Sequence, residues 1–227
     1  VIHPDVVQHN RVCGASQAHR LPIVTASRQH GFASNHRDGY TLQTAQLLTE
    51  LPMTHASTPA FIDFEASSLD LIASYPIEVG VCLPDGAVYS WLIRPHVLWH
   101  DWSESAEAIH GIPRQALMEK GHAVHQVAGY LNDLLSGQVF CDAWTFDSFW
   151  LHRLFRAADM QPAFQLESIS LLLNPSQVRH WTPARQKVIA ELGLPVHRAA
   201  NDARILQATW QLVTTADQDR SGSVQGR

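Results

Sequence analysis

The stretch AFIDFEASSLD, residues 60–70, sets two carboxylates, Asp63 and Glu65, among Phe61, Ile62 and Phe64. In an extended strand positions i and i+2 point to the same face, so both acids lean the same way. Like charges held side by side raise one another's pKa and oppose folding unless a cation resolves the repulsion. Two more acids and an imidazole join them from elsewhere in the chain. Asp147 falls in the first turn of an expected helix after the strand QVFCDA, with Thr145 as its expected cap, and Asp202 stands near the start of the last helix, after His197. On a continuous helix the spacing from 197 to 202 is about 140° of rotation, so His197 is expected on the preceding loop, from which it can reach a site that Asp202 lines. Four carboxylates and one mobile imidazole have a physical rationale if one or two Mg²⁺ or Mn²⁺ ions sit among them, because these hard cations take oxygen ligands. Two such ions about 4 Å apart can activate a water, hold a phosphate and stabilise a leaving oxyanion in an in-line displacement. His197 would then accept the proton of the attacking water.

Taken singly, each residue has an ordinary explanation. Asp63 and Glu65 could line an exposed sheet face, Asp147 and Asp202 are acids of the kind favoured in a first helical turn, and a lone histidine is most often solvated or structural. The joint occurrence is what points to a site.

The elements that must position these residues are legible in the chain. AFIDFEAS, PIEVGVCL and AVYSWLIRP read as three successive antiparallel strands, the last two joined by the turn PDG. SESAEAIHG, with Ser103 as N-cap, and PRQALMEKG, starting at Pro113, read as short helices; HAVHQVAGYLNDLLSG reads as a longer one closed by Gly137. QVFCDA is a fourth strand, TFDSFWLHRLFRAAD a helix, FQLESISLLL a buried segment, and PARQKVIAELGL and HRAANDARILQATWQLVTTA the last two helices. Antiparallel strands followed by helix–strand alternation imply a mixed α/β sheet with helices packed on it.

Composition bounds the function. With 227 residues, 45% of them hydrophobic, the chain can bury one good core. Cys13, Cys82 and Cys141 are odd in number and form no C-x-x-C, so neither a disulfide framework nor a thiolate zinc site is indicated, and a cytoplasmic location is expected. No apolar run reaches the length of a membrane span, and no membrane association is expected. A formal net charge of -5 argues against a broad basic surface for long nucleic acid, but not against a site that reaches polyanions through bound metal. Residues 1–57 are rich in His, Gln, Ser, Asn and Arg without sustained periodicity, and are expected to be mostly disordered or an artefact of a mis-set gene boundary, with Met53 as the natural start. Residues 58–216 are then the folded domain and 217–227 a flexible tail.

FIDFEASS, YPIEVG, the HGI at 110–112, CDAWTFDSFWL and HRAANDA, in this order and spacing, resemble the motifs of the DEDDh 3′-to-5′ exonucleases, the superfamily of ribonuclease T, oligoribonuclease and the epsilon proofreading subunit. The resemblance spans roughly residues 59–210. It implies a ribonuclease-H-like five-stranded sheet, antiparallel in its first three strands and then parallel, flanked by helices. It also implies release of nucleoside monophosphates from 3′ ends of single-stranded DNA or RNA with two Mg²⁺ or Mn²⁺ ions. Carried over by motif, Asp63, Glu65, Asp147 and Asp202 are the metal ligands and His197 the general base. A homodimer or a polymerase-type partner is in keeping with such relatives.

This chain departs from the pattern in two places. Ser67 and Ser68 stand where many relatives have threonine and glycine after the first acids; with Leu69 they are the candidate contacts to the terminal nucleotide. Cys141, Asp142 and Ala143 replace the H-N-A that commonly precedes the third acid, which leaves Asp142 and Asp147 both open, the FD before an apolar helix favouring Asp147. YPIEVG reads as structural, Trp144, Trp150 and Trp210 as core, and Trp91 or Trp102 as candidates to stack on bases. The alternative to an exonuclease is a catalytically silent module of the same fold that binds nucleic acid or a polymerase-type partner.

Overall fold

The computed structural model describes residues 58–224, with side chains through residue 216; the expectations for residues 1–57 lie outside the described residues. Strands β1 (Ala60–Ala66), β2 (Pro76–Cys82) and β3 (Val88–Leu92) run antiparallel, and the tight turn between the last two closes through Gly86 at φ 83, whose N–H donates to the Leu83 carbonyl at 2.8 Å. Helices α1 (Glu104–His110), α2 (Arg114–Lys120) and α3 (Val124–Leu134) then carry the chain across to β4 (Gly137–Cys141), parallel to β1. Helix α4 (Trp144–Ala157) makes the next crossover to β5 (Phe164–Ser168), parallel to β4, as parallel pairing requires. The sheet order is β3-β2-β1-β4-β5, the mixed five-stranded arrangement expected from the sequence. Helices α5 (Pro175–Leu192) and α6 (Ala199–Val224) follow, the latter continuing past residue 216. Among the described residues no helix is long and apolar enough to cross a membrane.

Strand β1 divides the core. Ile62 and Phe64 face a large cluster with Val79, Val127, Leu131, Leu151 and Leu154, whereas Phe61 packs on the opposite face with Ala203, Leu206 and Trp210 of α6. Asp63 and Glu65 therefore continue the α6 side of the strand. Every residue of β2 is buried, as expected of a strand covered on both faces.

The approach of α6 to the sheet depends on Gly80, the register partner of Asp63. A β-carbon at position 80 would lie 2.1–2.3 Å from backbone atoms of Ala199 and Ala200, so only glycine lets the start of α6 rest on β2. Two residues away on the same face, the buried Glu78 accepts from Arg198 Nε at 3.0 Å, Arg198 Nη2 at 2.7 Å and the Ala199 amide at 3.1 Å. Together Gly80 and Glu78 fix where α6 begins.

Several boundaries differ from the sequence expectation. Ser103 does cap α1, its hydroxyl accepting from the Ala106 amide at 3.3 Å, but Gly137 opens β4 rather than closing α3, whose last residue is Leu134. Thr145 lies inside α4, which starts after Ala143 without a side-chain cap. The helix read as starting at Pro183 begins at Pro175, where Asn174 accepts from the amides of Ser176 and Gln177 at 2.9 and 3.0 Å; Pro183 sits within it. Of the segment FQLESISLLL only Phe164 and Ile169 are buried, because β5 is an edge strand that runs into a short 3₁₀ turn.

Gly80→Ala is expected to lower unfolding stability by about 1–3 kcal/mol or more, the range for overpacking against atoms that cannot yield. Urea unfolding of the variant beside the parent checks this; an unchanged midpoint would show that α6 can retreat freely.

Candidate active site

Four carboxylates converge at the carboxyl end of β1. Asp63 feels the charges of Asp147, Asp202 and Glu65. Burial, then those three neighbours in that order, holds its carboxyl well above the usual range, with Arg185 opposing. Glu65 is pushed up to about 8, first by burial, then by Asp202 and Glu78, with Arg198 pulling the other way. Asp147, only 1% exposed in the first turn of α4, is raised to about 7 by burial, although the Cys141 thiol and the Ala143 backbone oppose it. Its Oδ2 is buried with no hydrogen-bond partner. Asp202 is raised by burial too, and is relieved by the amides and cations around it.

Asp202 has a second task. Its Oδ2 accepts from the backbone amides of His197 at 2.6 Å and Arg198 at 3.2 Å, and its Oδ1 lies 3.6 Å from Arg185 Nη2. A side chain in the first turn of α6 thus satisfies amides that the helix leaves open, and pins the turn before it. In that turn His197 adopts φ 62, a left-handed conformation uncommon outside glycine, and its side chain is exposed. One potential ligand atom from each of Glu65, His197 and Asp202 lies within 4.8 Å of the others.

The donor set suits a hard divalent ion. Four carboxylates and one imidazole surround the space, Arg185 is the cation beside Asp63 and Asp202, and the orphaned Asp147 Oδ2 is an acceptor awaiting a positive partner. Glu65 and Asp202 are near enough to share one ion, with His197 beside them and Asp63 and Asp147 adjoining. Of the two acids the sequence leaves open, Asp147 is buried and its charge reaches Asp63, whereas Asp142 is exposed.

The remaining candidates are placed differently. Ser67 is fully buried; its hydroxyl donates to Asp101 Oδ2 at 2.7 Å and accepts from the Tyr75 amide at 3.1 Å, and its own amide donates to the Tyr75 carbonyl. Ser68 donates to the same Asp101 oxygen at 2.7 Å. Leu69 is 72% exposed, so it is no part of the core. Trp150 and Trp210 are core residues; Trp144 is not, being 46% exposed with Nε1 donating to the Leu166 carbonyl. Trp91 is buried against Tyr89 and Tyr130 and offers no face to a base, and Trp102 is bonded to Glu107 beneath the Arg114 guanidinium. His110 ends α1 before the left-handed Gly111.

Arg185, Arg198 and the paired role of Glu78 and Gly80 were missed by sequence reasoning. The I-E-V-G at 77–80 carried a readable signal, an acid and a glycine on one strand face, but nothing in the sequence placed Arg185 beside Asp202.

No family model matches the chain, and no curated protein matches it. Among solved structures it is similar to E. coli exonuclease I in a zinc-bound complex with single-stranded DNA, at 15% identity and a TM-score of 0.54, over 70% of this chain and 41% of that one. It is likewise similar to E. coli exonuclease I bound to a dT13 oligonucleotide, at 14% identity and a TM-score of 0.57, over 74% of this chain and 43% of that one. A product-bound exonuclease I aligns at 15% identity with a TM-score of 0.55, over 70% and 43% of the two chains. The chain therefore spans about two fifths of the length of these neighbours. The likeness shows the fold, a ribonuclease-H-like mixed sheet flanked by helices.

The raised carboxyls make stability pH-dependent. An acid whose folded pKa lies above its unfolded value stabilises fully below the unfolded value, and that contribution is lost as pH rises through the folded one. For Glu65 the window runs from 4.5 to about 8, and for Asp147 from 3.8 to about 7. In EDTA the thermal midpoint is expected to fall as pH is raised across that window, and millimolar Mg²⁺ or Mn²⁺ is expected to restore it most at the alkaline end. Scanning fluorimetry at several pH values checks both; a midpoint that rises toward pH 8 in EDTA would contradict the electrostatics.

Proposed function

We propose that the chain is a divalent-metal-dependent 3′-to-5′ exonuclease that releases nucleoside monophosphates from single-stranded DNA or RNA ends, a DEDDh enzyme by its motifs. The convergence of Asp63, Glu65, Asp147, Asp202 and His197 at one end of the sheet carries the reading. Its support is the shared fold with exonuclease I, which has been solved with single-stranded DNA.

In this reading Asp63, Glu65, Asp147 and Asp202 hold the metal, two ions in the full form of the proposal. Bound Mg²⁺ or Mn²⁺ would supply charge neutralisation and Lewis acidity at the scissile phosphate. The chain does the rest. His197 sits at the mouth of the cluster, its backbone amide tied to Asp202 while its ring faces solvent, so the imidazole is positioned to take the proton of the attacking water. The left-handed turn at 197 keeps that ring outside the helix yet beside the acids. Glu78, neutralised by Arg198, holds the turn without competing for the ion. Leu69, exposed in the loop beyond Glu65 together with Leu71 and Ile72, has surface to offer a terminal base, while Ser67 and Ser68 shape that loop through Asp101.

Incubation with 5′-labelled single-stranded DNA and RNA oligonucleotides, in Mg²⁺, Mn²⁺ or EDTA, tests the proposal. A metal-dependent ladder shortening from the 3′ end is expected for the parent and none for Asp63→Ala. His197→Ala is expected to lose a factor of about 10² to 10⁴ in rate while retaining Mn²⁺ binding, the usual contribution of a general base. A folded parent that binds Mn²⁺ but cleaves neither polymer would overturn the enzyme reading in favour of a nucleic-acid-binding module.

A further inference from the structure

Outside the acid cluster, one face of α4 borders a groove of about 600 Å³. Phe149, His152, Arg153 and Arg156 recur at i, i+3, i+4 and i+7, so they form one stripe of the helix, while Trp150, Leu151, Leu154 and Phe155 turn inward to the core. His96 and Trp99, from the segment after β3, make the opposite wall. The lining holds two arginines, two histidines and two aromatic rings, and no carboxylate. In a chain of formal net charge -5 that is a local reversal of sign.

The groove is built rather than incidental. The Arg153 guanidinium lies 5.8 Å from the Trp99 ring centre and 5.7 Å from that of Phe149, and its Nη1 donates to the Ile72 carbonyl at 2.8 Å. Its Nε is buried without a hydrogen-bond partner. The charge is thus fixed in place before any ligand arrives, which lowers the ordering cost of binding. Arg156 and His152 are exposed, and Phe149 and His96 are half-buried, so guanidinium groups and flat rings share the opening.

We propose that this groove binds the single-stranded nucleic acid upstream of the end being processed, with phosphates on Arg153 and Arg156 and bases against Phe149 and His96. Cations combined with ring faces are the means by which proteins hold single strands without reading their sequence. Groove and acid cluster share α4, which carries Asp147 in its first turn, and Arg153 of the groove is tied to Ile72 in the loop that follows β1. From Phe149 to Arg156 the helix rises about 10 Å, so the groove faces only a short run of phosphates. The inference rests on the exonuclease reading for the direction of the strand, though binding in the groove stands by itself.

The full chain in EDTA, titrated into 5′-fluorescein-labelled dT12 and dT3 and followed by anisotropy, tests it. Arg156→Ala is expected to weaken dT12 binding by about 5-fold and to lower the slope of log K against log salt by about 1, the effect of losing one phosphate contact. Arg156→Lys should restore the slope, and dT3 should bind weakly to all three proteins. Hydrolysis of the chromogenic ester thymidine 5′-(p-nitrophenyl phosphate), too short to reach the groove, should be the same in parent and Arg156→Ala. If the ester is cleaved but dT12 binding ignores Arg156, the groove proposal is wrong and the exonuclease reading stands. If no ester is cleaved yet dT12 binding depends on Arg156, the groove stands and the exonuclease reading fails. Displacement of dT12 by polyglutamate as readily as by unlabelled dT12 would also overturn the proposal, since it would mark a site for acidic protein chains.

Discussion

Repulsion among Asp63, Glu65, Asp147 and Asp202 is the constraint on which the rest of the structure turns. Like charges gathered away from water are stable only if they are protonated, hydrogen-bonded or matched by cations. The protein uses some of each. Asp202 draws two backbone amides and approaches Arg185, Glu65 and Asp147 are pushed toward the neutral form, and one oxygen of Asp147 is left with no partner. The compensation supplied by the chain is partial, and what it lacks is positive charge surrounded by oxygen, the coordination that hard divalent ions take.

Nearby charge is handled separately. Glu78 stands opposite Glu65 in the sheet register and would add a fifth carboxylate to the cluster, yet it is chelated by the Arg198 guanidinium and the Ala199 amide. That pairing also anchors the start of α6, and glycine at position 80 leaves room for Ala199 and Ala200 to rest on β2. His197 lies between these anchors, in a left-handed turn whose strain is offset by the Asp202 carboxylate. Position of the imidazole and placement of the last acid are consequences of one local arrangement.

The sheet was legible because β1 and β2 are short runs of β-branched and aromatic residues bounded by turn residues, and because the PDG turn dictates an antiparallel neighbour. The loop position of His197 followed from helical rotation alone. The start of α5 was not legible from Pro183, since a proline reads as a beginning, whereas the Asn174 cap and Pro175 carry the same signal more strongly eight residues earlier. Arg185 could not be placed, as its approach to Asp202 depends on how α5 packs on α6, a tertiary contact with no local pattern. Ser67 sits beside the acids in sequence, but its burial is decided by Asp101, distant along the chain. The groove along α4 was hidden for a like reason: its stripe is visible in the sequence, but its opposite wall comes from the segment after β3.

The most direct test of the central claim is the binding of Mn²⁺ to the metal-free chain at pH 8, counted by paramagnetic resonance in the parent and in Asp63→Ala and Glu65→Gln. Saturable binding in the parent, weakened in both variants while their folds persist, is the result the electrostatics require. Equal binding by parent and variants, or none at millimolar Mn²⁺, would mean that the carboxylates are reconciled by protonation and arginine alone, and that the site is not a metal centre.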